Sequence, residues 1–188
     1  TCDQFVRLLT DSGLLPPSDI ATMRSQLANG QLPNDAQKLA QSLIHGGKLT
    51  KFQATALVRG KAKGLVINDY VILDKLGQGG MGVVYKAMHR QMKRLVALKM
   101  LPPTAVKSPD AVQRFHREVE AAAKLNHPNV VAAYDAGEYD GHFYLVMEYL
   151  AGIDLGALIS QRGMLPVDSA IGFMLQAARG LEYAHRHG

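Results

Sequence analysis

The stretch Leu76–Ala87, LGQGGMGVVYKA, sets glycines at 77, 79, 80 and 82 and then turns β-branched and aromatic. A glycine backbone lacks Cβ and can come close to phosphate oxygens that a side chain would hold away. Further on, VALK places Lys99 at the end of an apolar run, where an ammonium can neutralise phosphate charge. RFHREVEAAAKL then supplies two acids, Glu118 and Glu120. An acid facing Lys99 would hold it extended without leaving either charge desolvated alone. The two glutamates sit about 200° apart around a helix, so only one of them can do so.

Alone, G-x-G-x-x-G is weak evidence. A dinucleotide fold requires that the glycines follow a strand, open a helix, and be answered by an acid about twenty positions later. Here Gly77, Gly79 and Gly82 are followed by VVYKA, which favours another strand, and the sequence near position 102 reads MLPPT, with no acid. Strand, glycines, strand describes a hairpin whose tip can fold over a triphosphate.

The elements that would position these residues change character along the chain. Residues 1–64 read as four short amphipathic helices, each too short to persist unpacked. Phe5, Leu8 and Leu9 share the first face, which stops at Gly13; Ser18 is the expected cap of the second helix, with Ile20, Met23 and Leu27 as its stripe. Asn34 is the expected cap of the third. Thr50 and Gln53 stand at capping-box spacing for the fourth, with Leu49 ahead of them as a staple. SGLLPPSD and GGKLTKFQ share a pattern, which a distant duplication and repeated capping chemistry explain equally well. From Leu65 onward LVINDYVILDKLGQGG and MGVVYKAMHRQMKRLVALKML read as three strands, DAVQRFHREVEAAAKLNH as a helix, and NVVAAYDAGEYDGHFYLVMEYL as two strands about Asp140-Gly141. The remainder returns to helical spacing.

In this order and spacing, GGMGVVYKA, VALKML, RFHREVEAAAKLNHPNVV and LVMEYLAGIDL resemble the front part of a bacterial eukaryotic-like serine/threonine protein kinase, over residues 69–188. The resemblance implies an α+β fold: an upper lobe of five antiparallel strands and one helix, a truncated helical lower lobe, and a small all-α module ahead of them. The expected segments are 1–64, 65–150 and 151–188. The resemblance also implies binding of ATP with Mg²⁺. The loop Leu76, Gly77, Gln78, Gly79, Gly80, Met81 and Gly82 would cover the phosphates. Val84 and Ala97 would lie above adenine and Leu155 below it. Lys99 and Glu118, selected over Glu120, would form the catalytic pair. Met147 would be the gatekeeper, Glu148 and Leu150 would present hinge backbone, and Asp154 would lie near the ribose.

The same family needs an H-R-D aspartate as base and a D-F-G aspartate for metal. The sequence closes on LEYAHRHG, where His187 replaces the aspartate, so no metal ligand is expected within it. The expectation is the ATP-binding portion of a kinase that phosphorylates protein substrates, the chain alone being inactive. A pseudokinase-like interaction module is the rival from another class. Leaving the apolar helix DSAIGFMLQAARGLEYAHRHG in water is costly, so a homodimer is expected.

Composition narrows the rest. The 188 residues carry net charge +5, with eight Lys/Arg against four Asp/Glu in residues 1–64. Arg59, Lys61 and Lys63 read as a solvated linker, and no helix carries the Arg, Asn and Gln cluster that base reading needs, so no nucleic-acid partner is expected. There is no apolar run of membrane-spanning length and no membrane contact is expected. The single cysteine, Cys2, fits a reducing, cytoplasmic setting.

Overall fold

A computed structural model describes residues 1–106 and 108–187. Gly188, the last residue of the expected third segment, lies outside the described residues. Four helices open the chain: α1 (Cys2–Ser12), α2 (Pro17–Ala28), α3 (Ala36–His45) and α4 (Lys51–Val58). They are followed by β1 (Val66–Ile67), β2 (Tyr70–Gly79), β3 (Gly82–His89) and β4 (Leu95–Met100). Next come α5 (Pro109–Ala123), β5 (Ala133–Tyr139), β6 (His142–Glu148), α6 (Leu155–Arg162) and α7 (Val167–Arg186). The strands form one sheet in the order β1-β2-β3-β4-β6-β5.

The sheet has six strands where five are expected. The extra one is the two-residue β1, which Asn68 at φ +48° folds back antiparallel on β2, pairing Ile67 with Tyr70. Asp140 and Gly141, both at positive φ, close the β5–β6 hairpin, as a two-residue turn with the right twist requires.

Contacts divide the chain into two compact units, Thr1–Gly79 with Val83–Val96, and Gly80–Gly82 with Ala97–Gly188. In the first, Phe5, Leu9, Leu39, Leu43, Leu57 and Leu65 belong to one buried cluster drawn from the four helices and the strand approach. Two caps differ from expectation. Ser18 lies inside α2, whose N-cap is Pro16, because Pro16 is already extended and Pro17 is preorganised for the first turn. Asp35, not Asn34, caps α3; its carboxylate accepts from the backbone N–H of both Gln37 and Lys38. The Thr50–Gln53 capping box forms in full, and Leu49 is buried.

The internal similarity extends through the helical module at a constant spacing of 34 positions. Thr1 and Asp35 are N-caps, as are Pro16 and Thr50; Gly13 and Gly47 are both left-handed at φ +65°. Phe5 and Leu39, Leu9 and Leu43, and Met23 and Leu57 are buried pairs at that spacing. Repeated capping alone does not require matched burial, so two copies of one helical hairpin account for the module better. Cys2 lies in this core, and burial pushes its thiol pKa up, with Asp3 and Asp35 adding to the shift.

In the second unit Ser108 caps α5 by accepting from Ala111 N–H, and Phe115 of that helix is buried, meeting Phe143 edge-on. Helix α7 touches the chain ahead of β5: the Asn129 carbonyl lies where a Cβ on Gly180 would stand, and Tyr183 stacks on His127. Among the described residues of α7 only Gly180 is buried.

Candidate functional site

Residues from the loop turn, β4, the β4–α5 connection, α5 and β6, all in the second unit, meet around one cavity of about 860 Å³. Gly80 and Met81, the two residues of the turn between β2 and β3, form one part of its wall. Lys99 of β4 is another. The connection from β4 to α5 (Leu101, Pro102, Thr104, Ala105 and Ser108), Leu145 of β6 and a stripe of α5 close the rest. That stripe runs Ala111, Arg114, Phe115, Glu118, Val119, Ala122, the i, i+3, i+4, i+7 spacing of a single helix face. Glu118 is on it and Glu120 is not.

Lys99 and Glu118 line the same space, but no ion pair within 4.0 Å joins them among the described residues. Arg114 adds a second cation, one helical turn before Glu118. Two cations against one acid suit the cavity to an anion. Arg114, together with Ser108 and Thr104 at the rim, was not singled out from the sequence. The α5 stripe was the signal available for Arg114; nothing in the sequence marks the two hydroxyls.

The glycines of the loop divide by cause. Gly82 has φ +110°, and a Cβ there would stand 2.0 Å from the Met100 carbonyl oxygen, so packing and backbone both require glycine. Gly77, Gly79 and Gly80 are not at positive φ, and a Cβ on any of them meets no atom within 4 Å. Neither conformation nor packing within the chain asks for glycine at these three. The end of β2 that carries Leu76, Gly77, Gln78 and Gly79 is solvent-exposed, and Gln78 receives a hydrogen bond from Lys75.

The remaining expected residues are distributed as follows. Val84 is half-buried on β3, and Ala97 is buried on β4. Met147 and Glu148 end β6 half-buried. The Glu148 N–H donates to the Ala132 carbonyl at 2.9 Å. Leu150 and Leu155 are exposed at 61% and 47%. Asp154 caps α6, its carboxylate accepting from Ala157 N–H at 2.8 Å. Among the described residues no three His, Cys, Asp or Glu side chains are grouped to hold a metal ion.

Comparison with known proteins gives a consistent result. The protein kinase domain family matches residues 70–188. The chain is 41% identical over 121 residues to a probable serine/threonine-protein kinase of Clostridium perfringens, covering 64% of this chain and 18% of that protein. It is 35% identical over 129 residues to the serine/threonine-protein kinase PknI of Mycobacterium bovis, covering 68% of this chain and 22% of that one. The crystal structure of the M. tuberculosis PknI kinase domain superposes with a TM-score of 0.60 at 35% identity, covering 66% of this chain and 51% of that one. The chain thus spans about a fifth of these curated relatives and about half of that kinase domain.

Proposed function

Because the chain belongs to the protein kinase domain family over residues 70–188, we propose that it is the ATP-binding portion of a serine/threonine protein kinase. The observation that carries this reading is the meeting of the loop tip, Lys99 and Glu118 around one cavity, in a loop with three glycines that no internal contact requires. In this reading the amides of the loop approach the phosphates and Lys99 neutralises their charge. Glu118 pairs with Lys99 once the two close together. The Glu148 carbonyl and Leu150 N–H take the adenine edge, with Val84, Ala97 and Leu155 against its faces, Met147 behind and Asp154 toward the ribose. The complete protein would transfer the γ-phosphoryl group to Ser or Thr of a protein substrate in the cytoplasm. The 188 residues contain neither an H-R-D nor a D-F-G aspartate, so this chain alone should transfer no phosphate.

Titration calorimetry tests the reading. ATP and adenosine should bind weakly, in the tens of micromolar or above, and compete for one site. Lys99→Met should weaken ATP by about tenfold, the loss of one charge-assisted contact, and leave adenosine unchanged. Binding without competition, or an equal loss for both ligands, would contradict it.

A further inference from the structure

The helical module is not hung from the sheet by its linker alone. Helix α4 lies against β2, the strand that leads into the glycine loop, and through Phe52 reaches β3, the strand that leads out of it. Gln53 is buried, at 3% exposure, and its Nε2 donates to the Ile72 carbonyl of β2 at 2.7 Å. Its Oε1 accepts from Thr50 N–H at 2.8 Å, which fixes which way the amide points. The Thr50 hydroxyl donates to the next carbonyl along, that of Leu73, at 2.7 Å. On the same helix, Phe52 meets Tyr85 of β3 edge-to-face, with ring centroids 6.1 Å apart. At the opposite end of β3, Arg90 donates to the Gly13 carbonyl that closes α1.

These contacts are not a by-product of the repeated hairpin. The positions equivalent to Thr50 and Gln53 in the first copy are Pro16 and Asp19. Pro16 has no side-chain donor, and Asp19 pairs with Lys48 at 2.6 Å. The side-chain amide and hydroxyl that hold the β2 carbonyls are present only in the second copy; the first copy offers the end of β3 a backbone carbonyl, that of Gly13. Beyond Leu73, β2 becomes exposed through to Gly79, so the grip lies at the last buried point before the loop. A buried carbonyl held by a buried amide is costly to release, because opening leaves both groups unpaired.

We propose that Thr50, Phe52 and Gln53 are positioning residues for the glycine loop: the N-terminal module braces both strands flanking it and so sets the loop for the nucleotide. The consequence for the nucleotide rests on the ATP reading above; the brace itself does not.

The test uses the 188-residue chain in three variants. Gln53→Leu leaves the Ile72 carbonyl without its donor, and Phe52→Ala removes the ring on Tyr85. Asp35→Ala removes a cap in the same module that does not touch the sheet, and controls for loss of stability alone. Amide hydrogen exchange is followed without ligand across Asp74–Gly79 and Val83–Lys86, and ATP affinity is measured beside it. Exchange in these segments should speed by about tenfold in Gln53→Leu and Phe52→Ala, as expected when a local unit opens more readily, and stay at the parent rate in Asp35→Ala. ATP affinity should fall about threefold or more in the first two variants only. If Gln53→Leu does not fold, Phe52→Ala decides, since its ring is only half-buried. Unchanged exchange in the first two, or an equal rise in Asp35→Ala, would overturn the proposal, as would faster exchange with unchanged affinity. A parent chain that binds no ATP counts against the ATP reading, and the exchange comparison then decides the brace by itself.

Discussion

At the scale of the residue, the loop glycines make contrasting demands on the chain. Gly82→Ala would force a methyl group against the Met100 carbonyl at a backbone angle that L-residues avoid, a loss of about 2 kcal/mol or more. Gly80→Ala adds a methyl group in open space, and its stability should stay within about 0.5 kcal/mol of the parent while ATP binding weakens. Urea denaturation beside the nucleotide titration separates the two; equal stabilities would show that Gly82 is not held against Met100. The loop and Lys99 are legible in the sequence because their chemistry depends on residue type and spacing, which a string of letters carries. The choice between Glu118 and Glu120 rests on the family resemblance alone, because spacing shows only that they face apart. The cavity adds a physical observation: Glu118 is in its lining and Glu120 is not. Arg114, Ser108 and Thr104 escape for the same reason, since an exposed helix and its cap are full of such residues.

At the scale of the element, helix spans are legible and helix starts are less so. The stops at Gly13 and at Gly46-Gly47, and the Thr50–Gln53 box, follow from local chemistry that nothing distant overrides. At PPSD the prolines begin the helix before the serine can, and at PND the aspartate accepts two amides where asparagine is the expected cap. Asp35→Ala should therefore cost about 1 kcal/mol, the usual loss of a cap, whereas Ser18→Ala and Asn34→Ala should cost almost nothing. Chemical denaturation of the three variants checks this, and a Ser18→Ala loss as large as that of Asp35→Ala would refute the assignment. The strand β1 is hard to anticipate because two residues carry no period; the left-handed Asn68 that makes it is visible only as backbone.

At the scale of the whole molecule, α7 leaves Ile171, Met174, Leu175 and Leu181 about half exposed or more. At about 25 cal/mol per Å², covering several such side chains is worth on the order of 5–10 kcal/mol. The 188-residue chain in isolation should therefore pair through this face, most simply about a two-fold axis. Sedimentation equilibrium at micromolar concentration should return a dimer; a clean monomer that binds no hydrophobic dye would exclude it. Among the described residues no helix is long and apolar enough to cross a membrane. The central claim, that the loop and Lys99 form a nucleotide site, is tested most directly by an acyl-phosphate derivative of ATP, which acylates a lysine held beside the phosphates. Peptide mapping of the treated chain should find Lys99 modified well ahead of the exposed lysines, with excess ATP suppressing that modification and no other. Even labelling across the lysines, or labelling of Lys99 that ATP does not suppress, would contradict the account.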